Sequence, residues 1–211
     1  DEIISQKIGF VSYKIGKKSE FLVNGTEVKL KGVNHHDTHP VNGWSMTDDE
    51  LMADLALMKK LNINTIRTSH YPPTPKFLNM CDELGFYVML ETDIETHGAC
   101  NREAGGCGYD CLNNPEWLCS NPDWKDLYVE RMDRAYNRDK NHTCIFSWST
   151  GNESGHCLNH VNMIEYLNRN FMAKGDLKEA LSKIYDLDRL ITRIAYGSAN
   201  AKDCLRLQQT L

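Results

Sequence analysis

The sequence lacks any apolar run near the roughly 18–20 residues that a membrane-spanning helix requires, so no membrane role is expected of it. It also lacks an excess of positive charge. Its 24 Lys and Arg stand against 29 Asp and Glu, for a formal charge of −5, which argues against the basic face of a nucleic-acid binder. Its eight cysteines contain no C-x2-C pair, so no structural zinc site is expected in the stretch bearing Cys100, Cys107, Cys111 and Cys119. They are also spaced too irregularly for the disulfide framework of a short secreted chain. Reduced thiols in a cytoplasmic protein are the expectation. A phosphate-binding loop is absent as well: Gly16-Lys17 invites that reading, but Val11 and Lys18 stand where glycine and Ser/Thr are needed. Asp1, Glu2 and Lys7 interrupt the place where a secretory leader would have to be apolar, so none is expected.

What is present is an ordinary globular composition, 41% hydrophobic and 25% charged over 211 residues. The pattern begins as strands. Ile8–Ile15 alternates, Gly16-Lys17-Lys18 turns, and Glu20–Val23 before Asn24-Gly25 gives a strong hairpin signal. From Val28 the rhythm changes to alternating strand and helix. Strands are predicted at Val28–Val33, Ile63–Thr68, Phe86–Leu90 and Cys144–Trp148. Helices are predicted at Asp48–Leu61, with Thr47 and Glu50 as a capping box, at Pro75–Leu84 before a stop at Gly85, and at Trp124–Asp139. Such β-α repeats imply right-handed crossovers and a parallel sheet.

In parallel sheets of this kind chemistry collects at the carboxyl ends of the strands. Here those ends carry Asn34-His35-His36, then Arg67-Thr68-Ser69-His70, then Glu91 through His97, then Ser149 through Glu153. Any one cluster could be a solvated loop, whereas four in phase imply a single mouth. Glu153 follows an apolar strand containing Trp148, with Glu91, Asp93 and Glu95 expected nearby. Apolar and like-charged surroundings would raise its pKa, as a general acid near neutral pH requires, unless a cation offsets the like charge. Glu95 and His97 fall on one side of an extended segment. With Glu153 they could hold a divalent cation, for which Mg²⁺ suits carboxylates and waters better than zinc does. Alternatively, Glu95 and His97 simply hydrogen-bond each other.

The segments Gly32-Val33-Asn34-His35-His36-Asp37-Thr38-His39-Pro40, Arg67-Thr68-Ser69-His70-Tyr71-Pro72, Asp93-Ile94-Glu95-Thr96-His97-Gly98 and Trp148-Ser149-Thr150-Gly151-Asn152-Glu153-Ser154-Gly155 occur in that order. They resemble the successive signatures of glycoside hydrolase family 2 β-galactosidases, over about residues 1–171. The resemblance implies an α/β fold: the end of a β-sandwich over residues 1–26, then the N-terminal half of a TIM (β/α)8 barrel over 27–171, about four β-α units. It implies retaining hydrolysis of terminal β-D-galactosyl bonds, with a β-galactoside such as lactose as substrate. By motif, Glu153 matches the acid/base and Asn152 the residue bonded to the sugar 2-hydroxyl. His36 and His70 match galactosyl contacts, Arg67 a support for the site carboxylates, and Glu95, His97 and Glu153 the Mg²⁺ ligands. His35 stands where some members carry arginine. The resemblance also implies a nucleophilic glutamate on a seventh strand, which these residues do not include, so the chain by itself is expected to be inactive.

Residues 172–211 are expected to form a helical tail, with Leu181, Ile184, Tyr185, Leu187, Leu190, Ile191 and Ile194 on one face. Within it, Ile184 through Gly197 and Ala199 through Asp203 resemble a core helical segment of the MutS mismatch-repair family. A junction of two coding fragments near Phe171–Asp176 is therefore expected. Half a barrel exposes a strand edge, which a second copy of the chain could cover, giving a homo-oligomer.

Overall fold

The computed structural model describes residues 7–97, 117–155, 157–169, 200 and 203. It divides into two units, Asp1–Ile164 and Glu165–Leu211. The first unit starts with a small antiparallel sheet in the order β1-β2-β3, formed by β1 (Tyr13–Ile15), β2 (Phe21–Val23) and β3 (Thr26–Glu27). The strand predicted from Ile8 starts only at Tyr13. Its partner β2 is three residues long and pairs Tyr13 with Val23, leaving Ile8 and Phe10 exposed.

Four strands follow in one parallel sheet: β4 (Gly32–His35), β5 (Thr65–Thr68), β6 (Tyr87–Glu91) and β7 (Ile145–Ser149), in sequence order. The helices between them are α1 (Asp48–Lys60), α2 (Pro75–Leu84) and α3 (Lys125–Asp139), the last preceded by a 3₁₀ turn at Pro122–Trp124. This is the strand-helix alternation of a partial barrel. The capping box at α1 forms as the sequence predicts, with Glu50 N–H donating to Thr47 Oγ1 and Thr47 N–H donating to Glu50. Thr74 caps α2, and Gly85 ends it in the left-handed region at φ 68°, where a side chain would be strained.

Strands β6 and β7 lie one residue later than their apolar runs suggest, β5 starts two residues later and ends as predicted, and β4 starts four residues later and ends two later. Strand β4 shows why. Gly32 sits opposite Thr65 and His35 opposite Thr68, so the ladder runs on into polar residues that hydrophobicity alone assigns to a loop. Leu51 and Leu55 on α1, Phe77, Leu78 and Cys81 on α2, Ile66 on β5 and Val88 and Leu90 on β6 form the core between sheet and helices. Full burial of side chains like Leu55 and Phe77 stabilises by about 1.5–3 kcal/mol each. On the opposite sheet face, register sets Asn34 beside Arg67 and Arg67 beside Met89.

A polar clamp holds the segment entering β7 against α2. Asp82, near the end of α2, accepts from Cys144 N–H at 2.7 Å and Thr143 Oγ1 at 3.2 Å, and lies 2.6 Å from His142 Nδ1. Burial opposes the Asp82 charge, but these bonds prevail and lower its pKa. The same cluster offers three metal-ligand types. Its carboxylate is already satisfied, however, and burial pushes the Cys144 thiol up, away from the thiolate a metal needs. Its role is structural.

Among the described residues no helix is long and apolar enough to cross a membrane. In the second unit, residues 165–169 are helical, with Arg169 3.7 Å from Glu165 one turn away. Asn200 and Asp203 cap one another, each backbone N–H donating to the other's side chain at 3.0 Å. The rest of the predicted helical tail lies outside the described residues, as do Cys100, Cys107 and Cys111.

Candidate active site

The site is built outward from Glu91, the last residue of β6. Strand parity turns it to the same face as Arg67 and Met89, and its side chain is fully buried. A buried carboxylate is tolerated only when fully hydrogen-bonded. Here Oε2 accepts from Arg67 Nε at 2.7 Å and from Ser149 Oγ at 2.7 Å, while Oε1 lies 2.6 Å from His70 Nδ1. Its own backbone N–H donates to Thr68 Oγ1. Burial alone would raise the Glu91 pKa. The bonds from Arg67, Ser149 and His70 outweigh it and hold the carboxyl below its ordinary value of 4.5. With Glu91 ionised, Nδ1 of His70 carries the ring proton. It cannot then accept from Arg67 Nη2 at 3.4 Å, and the shorter contact to Glu91 governs. Glu91 thus joins β5, β6 and β7 at their C-terminal ends.

Arg67 extends this network. Its Nη2 donates to Asn152 Oδ1 at 2.9 Å, and Asn152 Nδ2 reaches Glu95 Oε1 at 3.4 Å. Asn152 N–H donates to Ile94 O at 2.8 Å, part of an isolated parallel bridge between Glu95 and Asn152. That bridge requires glycine at 151. The residue has φ 137°, and a Cβ there would lie 2.5 Å from Ile94 O. The loops after β6 and β7 are therefore joined backbone to backbone.

The join brings Glu153 to Glu95 and His97. His97 Nδ1 lies 3.4 Å from Glu95 Oε1 and 3.5 Å from Glu153 Oε2, and one ligand atom from each residue falls within 4.8 Å of the others. Two carboxylates and an imidazole at that spacing fit a divalent cation that keeps several waters. On the far side of the mouth, the His36 and His70 rings meet edge to face at 5.2 Å. All seven site residues read from the sequence fall at the strand ends: Arg67 and His70 on Glu91, Asn152 on Arg67, Glu95 and Glu153 beside His97, and His36 against His70.

One expectation, the apolar surroundings of Glu153, needs correction. Glu153 is not enclosed by apolar groups. Its side chain is 64% exposed, on a residue at φ 39°, and Trp148 instead turns toward Tyr136 on α3, at 5.2 Å. The like charge of Glu91 and Asp93 is offset by cations, because Glu91 is bound to Arg67 and Asp93 pairs with Arg131. The importance of Glu91 itself was not read from the sequence. The signal was present: a carboxylate ending an apolar strand, in phase with an arginine one strand over.

Residues 14–171 match the model for "Glycosyl hydrolases family 2, TIM barrel domain". The chain is 47% identical over 154 residues to a β-galactosidase of Arthrobacter sp. (strain B7), covering 73% of the chain and 14% of that protein. It is 41% identical over 162 residues to a β-galactosidase of Staphylococcus xylosus, covering 76% and 16%. The chain thus spans about one-seventh to one-sixth of the length of these curated relatives. Among solved structures it resembles a β-glucuronidase from Ruminococcus gnavus, at TM-score 0.60 and 25% identity, covering 80% of the chain and 26% of that one. It also resembles a β-galacturonidase from Eisenbergiella tayi, at TM-score 0.53 and 28% identity, covering 67% and 22%. The MutS-like reading of the tail finds no support in the family match, which stops at residue 171.

Proposed function

The chain belongs to glycosyl hydrolase family 2, and from that premise we propose that it carries the acid/base half of a retaining β-galactosidase active site. The observation that carries this reading is the bridge between Glu95 and Asn152, which sets Glu153 beside His97 while Arg67 holds the Asn152 amide. Identities of 38–47% to β-galactosidases support galactosides as the substrate class.

In this mechanism Glu153 donates its proton to the departing glycosidic oxygen. It then takes a proton from the water that releases the sugar. With Asn152 Oδ1 accepting from Arg67 and one Nδ2 hydrogen directed at Glu95, the amide keeps its second Nδ2 hydrogen and a second Oδ1 lone pair for a sugar hydroxyl. His70, its Nδ1 proton engaged by Glu91, has Nε2 as an acceptor for a second hydroxyl, and His36 braces the ring. Glu95, His97 and Glu153 would hold Mg²⁺, which would supply positive charge beside the reacting oxygen and orient nearby water. A retaining enzyme also needs a nucleophilic carboxylate about 5–5.5 Å from the acid/base. The family resemblance assigns it to a seventh strand, beyond the four described here. A polypeptide of these 211 residues alone is therefore predicted to bind galactose without turning over a galactoside.

Saturation-transfer NMR with D-galactose and with D-glucuronate, alongside an aryl β-galactoside assay, tests this. We expect galactose contact that weakens in Asn152→Ala and His70→Ala, and no hydrolysis. Galactose binding that ignores both substitutions, or a preference for glucuronate, would contradict the proposal.

A further inference from the structure

His35 belongs to none of the contacts above, yet it is one of the most enclosed polar residues near the mouth, at 7% exposure. It ends β4 with its ring directed into the helix layer, stacked on Phe77 of α2 at 5.0 Å and 15°. Both of its ring nitrogens face carboxylates. Nε2 lies 2.9 Å from Asp54 on α1, and Nδ1 lies 3.3 Å from Asp37 in its own loop. A neutral imidazole can donate from one nitrogen only, so it would leave a lone pair facing an anion. The imidazolium donates from both.

The partners of this ring reach the rim of the site. Asp37 N–H donates to the hydroxyl of Tyr71, and Ser69 N–H donates to His35 O. Ser69 and Tyr71 flank His70, while His36 follows His35 directly. The segments flanking His36 and His70 are thus linked through the His35 carbonyl and through Asp37, the carboxylate that faces the His35 ring.

We propose that His35 is a positioning residue, a buried imidazolium that ties α1 to the β4 loop and so fixes the His36–His70 wall of the sugar pocket. The wall's sugar-binding role rests on the function proposed above. The ring geometry does not. The charged groups facing the ring are Asp54 from α1 and Asp37 from the loop. Helix α2 contributes the uncharged Phe77, and β5 contributes Thr68 as register partner. Burial opposes the charge on His35, but the bonds to Asp37 and Asp54 prevail and raise its pKa above the ordinary 6.5. A raised histidine pKa stabilises the fold fully below the unfolded value, and that contribution is lost as pH climbs through the folded value. The wall should therefore loosen on the alkaline side.

Long-range ¹H–¹⁵N correlation on the labelled 211-residue chain reads ring protonation directly. We expect His35 to hold protons on both nitrogens at pH 6.5, with a midpoint above that value which falls in Asp54→Asn. A single protonated nitrogen at pH 6, or a midpoint at or below 6.5, would overturn the proposal. Replacing His35 by Gln, which cannot supply two charged donors, should shift the His36 and His70 ring signals and weaken galactose binding by about fivefold or more. His35→Arg, which keeps a buried cation with donors in two directions, should retain binding. Equal affinity in His35→Gln and wild type, with unmoved His36 and His70 signals, would also overturn it. A wild-type chain that binds no galactose would instead count against the function proposed above, and the ring titration would still decide the state of His35.

Discussion

At the scale of single residues, the site depends on Glu91. This buried carboxylate accepts three hydrogen bonds, from Arg67, Ser149 and His70. Replacing it by glutamine removes the charge and leaves Arg67 without its anion. A broken, fully enclosed ion pair costs about 3–5 kcal/mol. Because the Arg67 side chain remains 29% exposed, we expect a smaller loss for Glu91→Gln, about 2 kcal/mol, measured as a lowered urea midpoint at neutral pH. The pH dependence follows from its lowered pKa. The Glu91 contribution is complete above the ordinary value of 4.5 and is lost as pH falls through the depressed one. Stability of the wild type should therefore decline on acidification more steeply than that of Glu91→Gln. Which residues cluster at the mouth was legible from the chain, since histidines and carboxylates sit at four successive strand ends. Which of them is buried was not, because burial depends on strand parity and on partners 24 and 58 residues away. Glu153 was misread for the same reason: Trp148 precedes it in sequence but packs toward α3.

At the scale of elements, local chemistry wrote the helices plainly and the strands less so. Thr47 with Glu50, Thr74 before Pro75, and Gly85 each carry a start or stop signal that acts within a few residues. Strand limits depend instead on the length of the neighbouring strand, so β4 runs through Asn34 and His35 to match β5. The joined loops after β6 and β7 are the element-scale device that assembles the site, and Gly151 is their hinge. Gly151→Ala places a Cβ against Ile94 O in a backbone region that side chains rarely adopt. We expect it to cost about 1–3 kcal/mol and to break the Asn152 N–H to Ile94 O bond. Hydrogen exchange would report this as lost protection at the Asn152 amide while core amides of β5 and β6 remain slow.

At the scale of the whole molecule, the order β4-β5-β6-β7 leaves β4 and β7 each paired on one side among the described residues. Open strand edges are templates for pairing with another chain. The isolated 211-residue polypeptide is accordingly predicted to self-associate with rising concentration, which sedimentation velocity would detect as a growing sedimentation coefficient. Separate strand ends meet in one mouth, where Glu95, His97 and Glu153 lie close enough to share a cation. Mn²⁺ added to the labelled chain tests this most directly, because its unpaired electrons broaden nearby resonances whatever the catalytic state. Broadening should centre on Glu95, His97 and Glu153, extend to Asn152, reverse with excess Mg²⁺ and vanish in the Glu95→Gln, His97→Ala double variant. Broadening centred elsewhere, or unchanged in that variant, would contradict it.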